Sequence, residues 1–307
     1  MKNLKILPRF SDGLSFVYLE HAVIERADKS VAAFTSEGRI SLPASGLACL
    51  MLGPGTRVTH AAVNTLSDNG AVIVWVGEDG LRFYASGFGK TRSSSNLVRQ
   101  AMLCSDPKEH GRIVRRLFEM RFGDPIPVTM SLQQIRGREG ARVRDAYRAA
   151  SEKSGVEWNG RNYDRDKWEN SDPINRALSA ANSALYAVCL AGLVSAGYSP
   201  ALGFIHVGKQ LSFVFDLADL YKLELVVPAA FEAASEGADD IEKRARTKFR
   251  ERAHEAKLLA RIITDLKALF DEGGEGSFEE DVSLPGRLWD GAGKEVEGGK
   301  QYDSHSP

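Results

Sequence analysis

The stretch Gly203-Phe-Ile-His-Val-Gly-Lys-Gln-Leu-Ser-Phe-Val-Phe-Asp-Leu-Ala-Asp-Leu220 sets His206, Asp216 and Asp219 among residues that otherwise read as core: Phe204, Ile205, Leu211, Phe213, Val214, Phe215, Leu217 and Leu220. A carboxylate in apolar surroundings either protonates or takes a cation, because losing water without compensation costs several kcal/mol. The apolar spacing predicts a helix from Leu211 to Leu223, on which Asp216 and Asp219 are i,i+3 neighbours with Cβ atoms roughly 5 to 6 Å apart. Their charges repel, and a shared hard cation would turn repulsion into binding. Oxygen ligands suit Mg²⁺ or Mn²⁺, and a single imidazole is better tolerated by Mn²⁺. The alternative at this stage is a helix whose acids are solvated or paired with Lys222.

Working outward, Asp172-Pro173 reads as an N-cap with proline at the first helical position. The Ala- and Ser-rich helix that follows runs to Gly197, with small residues on several faces that suit a central, tightly packed position. After the opening stretch come a short helix at Pro228 and one long amphipathic helix from Asp239 to Phe270, with Lys243, Arg244, Arg246, Lys248, Arg250 and Arg252 near its start. Upstream, helices over Asn96–Cys104 and Lys108–Arg121 are separated by Asp106-Pro107 and stopped by Gly123-Asp-Pro125. A third starts at Ser131, with Gln134 at the capping-box spacing. Its apolar stripe runs Leu132, Ile135, Val143, Ala146 and Ala150, and the position that should continue it is Glu139. Gly137 and Gly140 flank that acid, and close approach of another backbone would justify their helix cost of about 1 kcal/mol each. The alternative is a rim acid paired with Arg136 or Arg142.

Residues 1–87 differ in kind. Short β-type runs, Ser15–Leu19, Ser30–Phe34 and Gly38–Leu42, suggest hairpins. Cys49–Leu52 ends at Gly53-Pro-Gly55, Thr59 caps a short helix ending near Asn69-Gly70, and Ala71–Val76 and Leu81–Ala85 are further strands. Nothing there suggests catalysis; a scaffold or dimerisation role follows. A Gly/Ser/basic linker occupies 88–95. The expectation is an α+β chain of two domains: a small N-terminal β-rich domain (1–87), then a larger all-α C-terminal catalytic domain (96–272). An acidic tail (273–307) has too little apolar content to order itself.

The formal net charge of -1 hides an uneven distribution. Arg82 to Arg165 carries 17 Lys/Arg against 9 Asp/Glu, and Asp271 to Pro307 has 3 against 10. The basic middle is a candidate polyanion surface. Cys49, Cys104 and Cys189 have no CxxC spacing and read as reduced core thiols. With no signal peptide and no uninterrupted apolar run of roughly 18 residues, the expectation is a cytoplasmic protein without a membrane segment.

Arg138-Glu139-Gly140, Gly203-Phe-Ile-His206-Val-Gly-Lys209 and Phe213-Val-Phe-Asp216-Leu-Ala-Asp219, in this order, closely resemble the CRISPR-associated adaptation endonuclease and integrase, the first-numbered Cas protein. The resemblance extends through Gly53-Pro-Gly-Thr-Arg57, Val74-Trp-Val-Gly-Glu78 and Trp158-Asn-Gly-Arg161, segments similar to the type I-E subtype. It implies a homodimer that assembles with the second-numbered Cas protein and cuts and joins double-stranded DNA, placing prespacers at the leader and repeat of a CRISPR array. It also implies that Glu139, His206 and Asp219 hold Mg²⁺ or Mn²⁺, with Asp216 a further ligand or a supporting base. Arg82, Arg136, Arg138, Arg142, Arg144, Arg161, Arg165 and Lys209 are candidate DNA contacts, with Tyr163 and Tyr186 as stacking groups. The competing readings are a stand-alone nuclease on branched or single-stranded nucleic acid, and a non-catalytic DNA-binding scaffold.

Overall fold

The run Leu47-Ala-Cys-Leu-Met-Leu52 lacks hydrophobic alternation because both of its faces are covered. It forms a strand buried at every position, as parallel strands inside layered folds are. The computed structural model describes residues 15–28, 30–77, 83–87, 94–161, 172–270, 287–289 and 295–297. The N-terminal strands are β1 (Ser15–Leu19), β2 (Val23–Ala27), β3 (Ser30–Thr35), β4 (Gly38–Leu42), β5 (Leu47–Leu52) and β6 (Arg57–Val58). Helix α1 (His60–Asp68) and strands β7 (Val72–Val76) and β8 (Phe83–Gly87) complete this part. They form two four-stranded sheets, ordered β1-β5-β7-β8 and β4-β3-β2-β6.

The β3–β4 hairpin forms as the sequence suggests. The first strand departs from expectation: β1 pairs in parallel with β5, and β5 in parallel with β7. Its place in a hairpin is taken by β2, which pairs with β3. The sequence conceals β2 because only Ile24 of Val-Ile-Glu-Arg-Ala is buried. Thr59 caps α1 by accepting the Ala62 N–H.

The helices are α2 (Ser95–Ser105), α3 (Pro107–Phe122), α4 (Leu132–Ser154), α5 (Pro173–Ser195), α6 (Ser212–Ala218), α7 (Val227–Ser235), α8 (Ile241–Glu255) and α9 (Leu258–Leu269), with a π-helical turn at Lys222–Val226 before α7. Ser131 and Gln134 make the capping box of α4, and Asp172 caps α5. The latter is long and apolar enough to cross a membrane, but 83% of its apolar window is buried inside the fold, so it is a central core helix, as its composition suggests.

Three expectations about the helices need correction. The predicted Leu211–Leu223 helix ends at Ala218. The predicted Asp239–Phe270 helix is two, broken where Lys257 adopts φ 50°. Buried positions in α8 include Ile241, Ala245, Phe249 and Ala253, a spacing that next reaches Lys257. The break shifts the register by one residue and buries Leu258, Ile262, Leu266 and Leu269 instead. On α4, Leu132 is exposed, and the stripe runs through Ile135 and Tyr147.

Of the linker, Ser94 and Ser95 belong to the start of α2, and 88–93 lie outside the described residues. In the tail, two three-residue strands, β9 (Arg287–Trp289) and β10 (Glu295–Glu297), pair antiparallel, an order the composition did not suggest. The rest of the tail lies outside the described residues.

One core joins sheet and helices. Phe16, Cys49, Met51, Val72 and Val74 pack in the same buried cluster as Ala184, Val188, Phe213, Phe231 and Phe249. Ile24, Val31, Leu50, Leu66 and Ile73 form a second cluster on the other side of the first sheet. Phe249 of α8 is fully buried, 5.6 Å from the Phe16 ring. Phe249→Ala is expected to lower the unfolding free energy by about 3 to 5 kcal/mol, in one urea transition seen alike by fluorescence and circular dichroism. Two separate transitions would mean the sheets fold independently.

Candidate functional site

The loop from Ser199 to Leu211 folds back over α6 so that consecutive backbone N–H groups point at Asp216. Its Oδ2 accepts from Phe204 N (2.6 Å) and Ile205 N (3.0 Å). Its Oδ1 accepts from His206 N (2.9 Å) and from the His206 ring at Nδ1 (2.7 Å). Asp216 is 0% exposed. A carboxylate only accepts, so Nδ1 carries a proton and Nε2 is the ring nitrogen of His206 left without a bond to Asp216. The loop's path demands glycine at 203, where a Cβ would lie 2.2 Å from the His206 carbonyl oxygen.

Asp216 and Asp219 therefore do not converge on one point as they stand. Both Asp216 oxygens are occupied by N–H donors, and Asp216 reaches the site through His206. Asp219, the C-cap of α6, points elsewhere, to Arg121: its Oδ2 lies 3.3 Å from Arg121 Nη2.

Arg121 is the residue the sequence reading missed. It ends the buried face Ile113, Val114, Leu117, Phe118 of α3, the same anomaly that singled out Glu139: a charge where core should continue. Its side chain is 3% exposed, and Nη1 lies 3.9 Å from Glu139 Oε1. Nη2 donates to the Asp216 backbone carbonyl at 3.3 Å, and Nε has no partner. Glu139 does occupy the stripe of α4, and Arg142 grips it with two bonds, Nε to Oε2 at 2.8 Å and Nη2 to Oε1 at 3.1 Å. Arg121 thus joins Glu139 and Asp219, and through the Asp216 backbone the His206 loop. Among the described residues no backbone crowds Gly137, and Gly140 has only the Arg144 side chain within 4 Å, so the expected close approach is not seen there.

Among the described residues, no three His, Cys, Asp or Glu side chains converge as they stand on a metal position. The donor types nevertheless fit a hard divalent ion. Two carboxylates already converge on one positive charge at distances longer than a charge-assisted hydrogen bond, and His206 offers a free Nε2.

Beside His206, the Phe215 ring meets it at 5.8 Å and Tyr186 at 5.1 Å, both edge-on. Phe215 and Tyr186 line a cavity of about 430 Å³ with Arg161, Asn182 and Lys222. Burial first, then the Asp219 charge, raise the Tyr186 hydroxyl, and burial raises that of Tyr147. Burial and the Asp216 charge push the Cys104 thiol up to about 11. None of these three ionises near neutral pH.

The expected DNA contacts divide by environment. Arg136, Arg144 and Lys209 are exposed. Arg138 is held by Asp124 at 2.7 Å over the Phe122 ring. Arg161 is also exposed but is tied to Asn175 and to Ser179 Oγ at 2.8 Å. Arg82, Tyr163 and Arg165 lie outside the described residues. In the basic start of α8, Arg244, Lys248 and Arg252 pair with Glu232 and Glu236 of the α7 segment, and Arg246 covers the Tyr18 ring at 4.3 Å. These four knit the fold together.

A match to the family described as CRISPR associated protein Cas1 covers residues 121–260, from Arg121 into α9. The chain is 51% identical over 310 residues to the CRISPR-associated endonuclease Cas1 2 of Thermus thermophilus, covering 100% of this chain and 95% of that one. A crystal structure of a TtCas1–DNA complex superposes with TM-score 0.80 at 47% identity, covering 94% of this chain and 100% of that one. A casposase bound to integration product shares the fold, with TM-score 0.65 at 13% identity over 88% of this chain and 95% of that one. The chain is thus a CRISPR-associated endonuclease. It belongs to the Cas1 family.

Asp216→Asn puts an amide donor among N–H groups at a fully buried position, whereas Asp219→Asn alters a side chain 25% exposed. The first is expected to cost about 3 to 5 kcal/mol and the second much less, measured by chemical denaturation. Equal losses would mean that the amide bonds to Asp216 are not what holds the loop.

Proposed function

We propose that this chain is a divalent-metal-dependent DNA endonuclease and integrase of CRISPR adaptation. It inserts spacer DNA into a repeat array by attack of a donor 3′-hydroxyl on a target phosphodiester. The type I-E assignment belongs to the same proposal and rests on the resemblance of its segments. The observation that carries the reading is the gathering of Glu139, Asp219 and His206, from three separate parts of the chain, about Arg121 and Asp216. The similarity to a Cas1 solved with DNA supports the substrate class.

Glu139, Asp219 and Nε2 of His206 would hold Mg²⁺ or Mn²⁺, which when bound polarises a phosphodiester and stabilises charge on the leaving oxygen. Asp216 fixes the ring of His206 so that Nε2 faces outward. Arg121, enclosed, and Arg142 offset the carboxylate charge, and the more exposed Arg142 can meet phosphate oxygens. Arg136, Arg144 and Lys209 meet DNA phosphates, and the aromatic-lined cavity with Arg161 and Tyr186 suits an unstacked base. One centre per chain means that joining both ends of a fragment takes two chains. The assembly is therefore a homodimer spaced by the second-numbered Cas protein. Orienting the two DNA substrates contributes on the order of 7 to 11 kcal/mol in well-aligned cases.

Glu139→Gln and Asp219→Asn are expected to lower DNA cutting by about 100-fold or more and to weaken Mn²⁺ binding in calorimetric titration. Variants that retain both cutting and Mn²⁺ affinity would remove these residues from the site. Donor DNA blocked with 3′-dideoxy ends should fail to label a plasmid carrying a repeat array, while background hydrolysis continues. Equal labelling from blocked donors would rule out direct transesterification; cutting without joining from any donor would favour the stand-alone nuclease.

A further inference from the structure

His110, in the first turn of α3, faces two carbonyl oxygens. Nδ1 lies 3.2 Å from the Cys104 oxygen and Nε2 lies 2.8 Å from the Phe204 oxygen. A neutral imidazole has one N–H and one lone pair, whereas a carbonyl oxygen only accepts. With one proton, the ring would press a lone pair against one of these oxygens. With two protons, both contacts are hydrogen bonds.

His110 sits at the positive end of its own helix α3, and two contacts oppose that field. The Cys104 carbonyl belongs to the last turn of α2, the negative end of that helix. The peptide unit that joins Phe204 to Ile205 is bracketed: its oxygen accepts from His110, and its N–H donates to Asp216 Oδ2 at 3.0 Å. Protonated His110 at one end and the Asp216 carboxylate at the other polarise the same peptide in the same sense, so each bond strengthens the other. Among the described residues, the Cys104 thiol on α2 is held neutral by burial, and Asp106 caps α3. Glu109 is paired with Arg112 at 2.8 Å.

We propose that His110 is a doubly protonated positioning residue that locks the Phe204–Ile205 peptide and so sets the aim of His206. It touches neither substrate nor the reacting atoms. It acts through the loop whose next two N–H groups, Ile205 and His206, close on Asp216, and the Phe204 ring packs 5.4 Å from the imidazole. The proposal deepens the nuclease reading, although its first test is independent of activity.

In ¹⁵N-histidine-labelled protein at neutral pH, the His110 ring is expected to show two protonated nitrogens. A His110 ring with one unprotonated nitrogen overturns the proposal, whatever the enzyme does. On activity, His110→Gln, which offers one donor and one acceptor, should lower kcat for DNA cutting by about 10- to 100-fold with KM for DNA unchanged. His110→Arg, a permanent cation with several donors, should recover most of that rate. Loss of rate in both variants alike, or in neither, overturns the positioning role. If the wild-type protein cuts no DNA, the nuclease reading fails, and the ring-nitrogen measurement still decides the protonation state.

Discussion

Four N–H groups converge on the two oxygens of Asp216, three from consecutive residues of the backbone and one from the ring of His206. Bonds to a buried charged acceptor are among the strongest in a protein, about 1.5 to 3 kcal/mol each. Here they replace the water that a fully enclosed carboxylate has given up. The path of the 203–206 loop, the need for glycine at 203 and the ring orientation of His206 all follow from them. Supporting contacts accumulate around the same loop. Gln100, fully buried on α2, bonds Ser199 at both its N–H and its carbonyl, and also bonds the Leu202 carbonyl. Ser212 pins Lys209 from the other side through its N–H and carbonyl.

The sequence disclosed the parts of this arrangement that break a local rule. Glu139 interrupts an apolar stripe, and His206 and two aspartates stand in an apolar run; helix starts at Ser131 and Asp172 follow from capping chemistry. What stayed hidden is non-local. An Asp-x-x-Asp pair looks like two equivalent acids until the chain folds back and supplies N–H donors to one of them. Arg121 broke the same rule as Glu139, but long basic side chains at helix ends are commonplace, and only the fold shows that its head group is enclosed. Gln100 and His110 carry no local signal. The parallel pairing of β1 with β5 escaped for a similar reason, since adjacent short strands suggest hairpins and the partner lies across three intervening strands.

The basic middle of the chain proves to be two populations. Several arginines are committed to acids or to carbonyls, Arg138 to Asp124 and Arg142 to Glu139 among them. Others, Arg136 and Arg144, stand in solvent along α4, and Lys209 does so in the 206–209 turn. Charge counting cannot separate the two groups because each committed arginine has its acid close in space but not always close in sequence. The separation matters at the site: Arg121 and Arg142 hold negative charge together there, and the exposed set is what an incoming polyanion meets first.

Cys49 of β5 lies against the Ala187 carbonyl of α5, 138 residues along the chain, and that contact has a consequence for biosynthesis. The first sheet can complete its strand pairing once β8 has been made, but the face carrying Met51, Val72 and Val74 waits for α5 to leave the ribosome, and Phe16 waits longer, for Phe249 of α8. Throughout that interval a nascent chain presents an apolar β-surface to its surroundings, the kind of intermediate that aggregates or engages chaperones. Slowing translation between β8 and α5 would lengthen the exposure. Yield of intact protein should therefore depend on codon choice in that interval more than in the α8–α9 region, whose cover is already in place when it emerges.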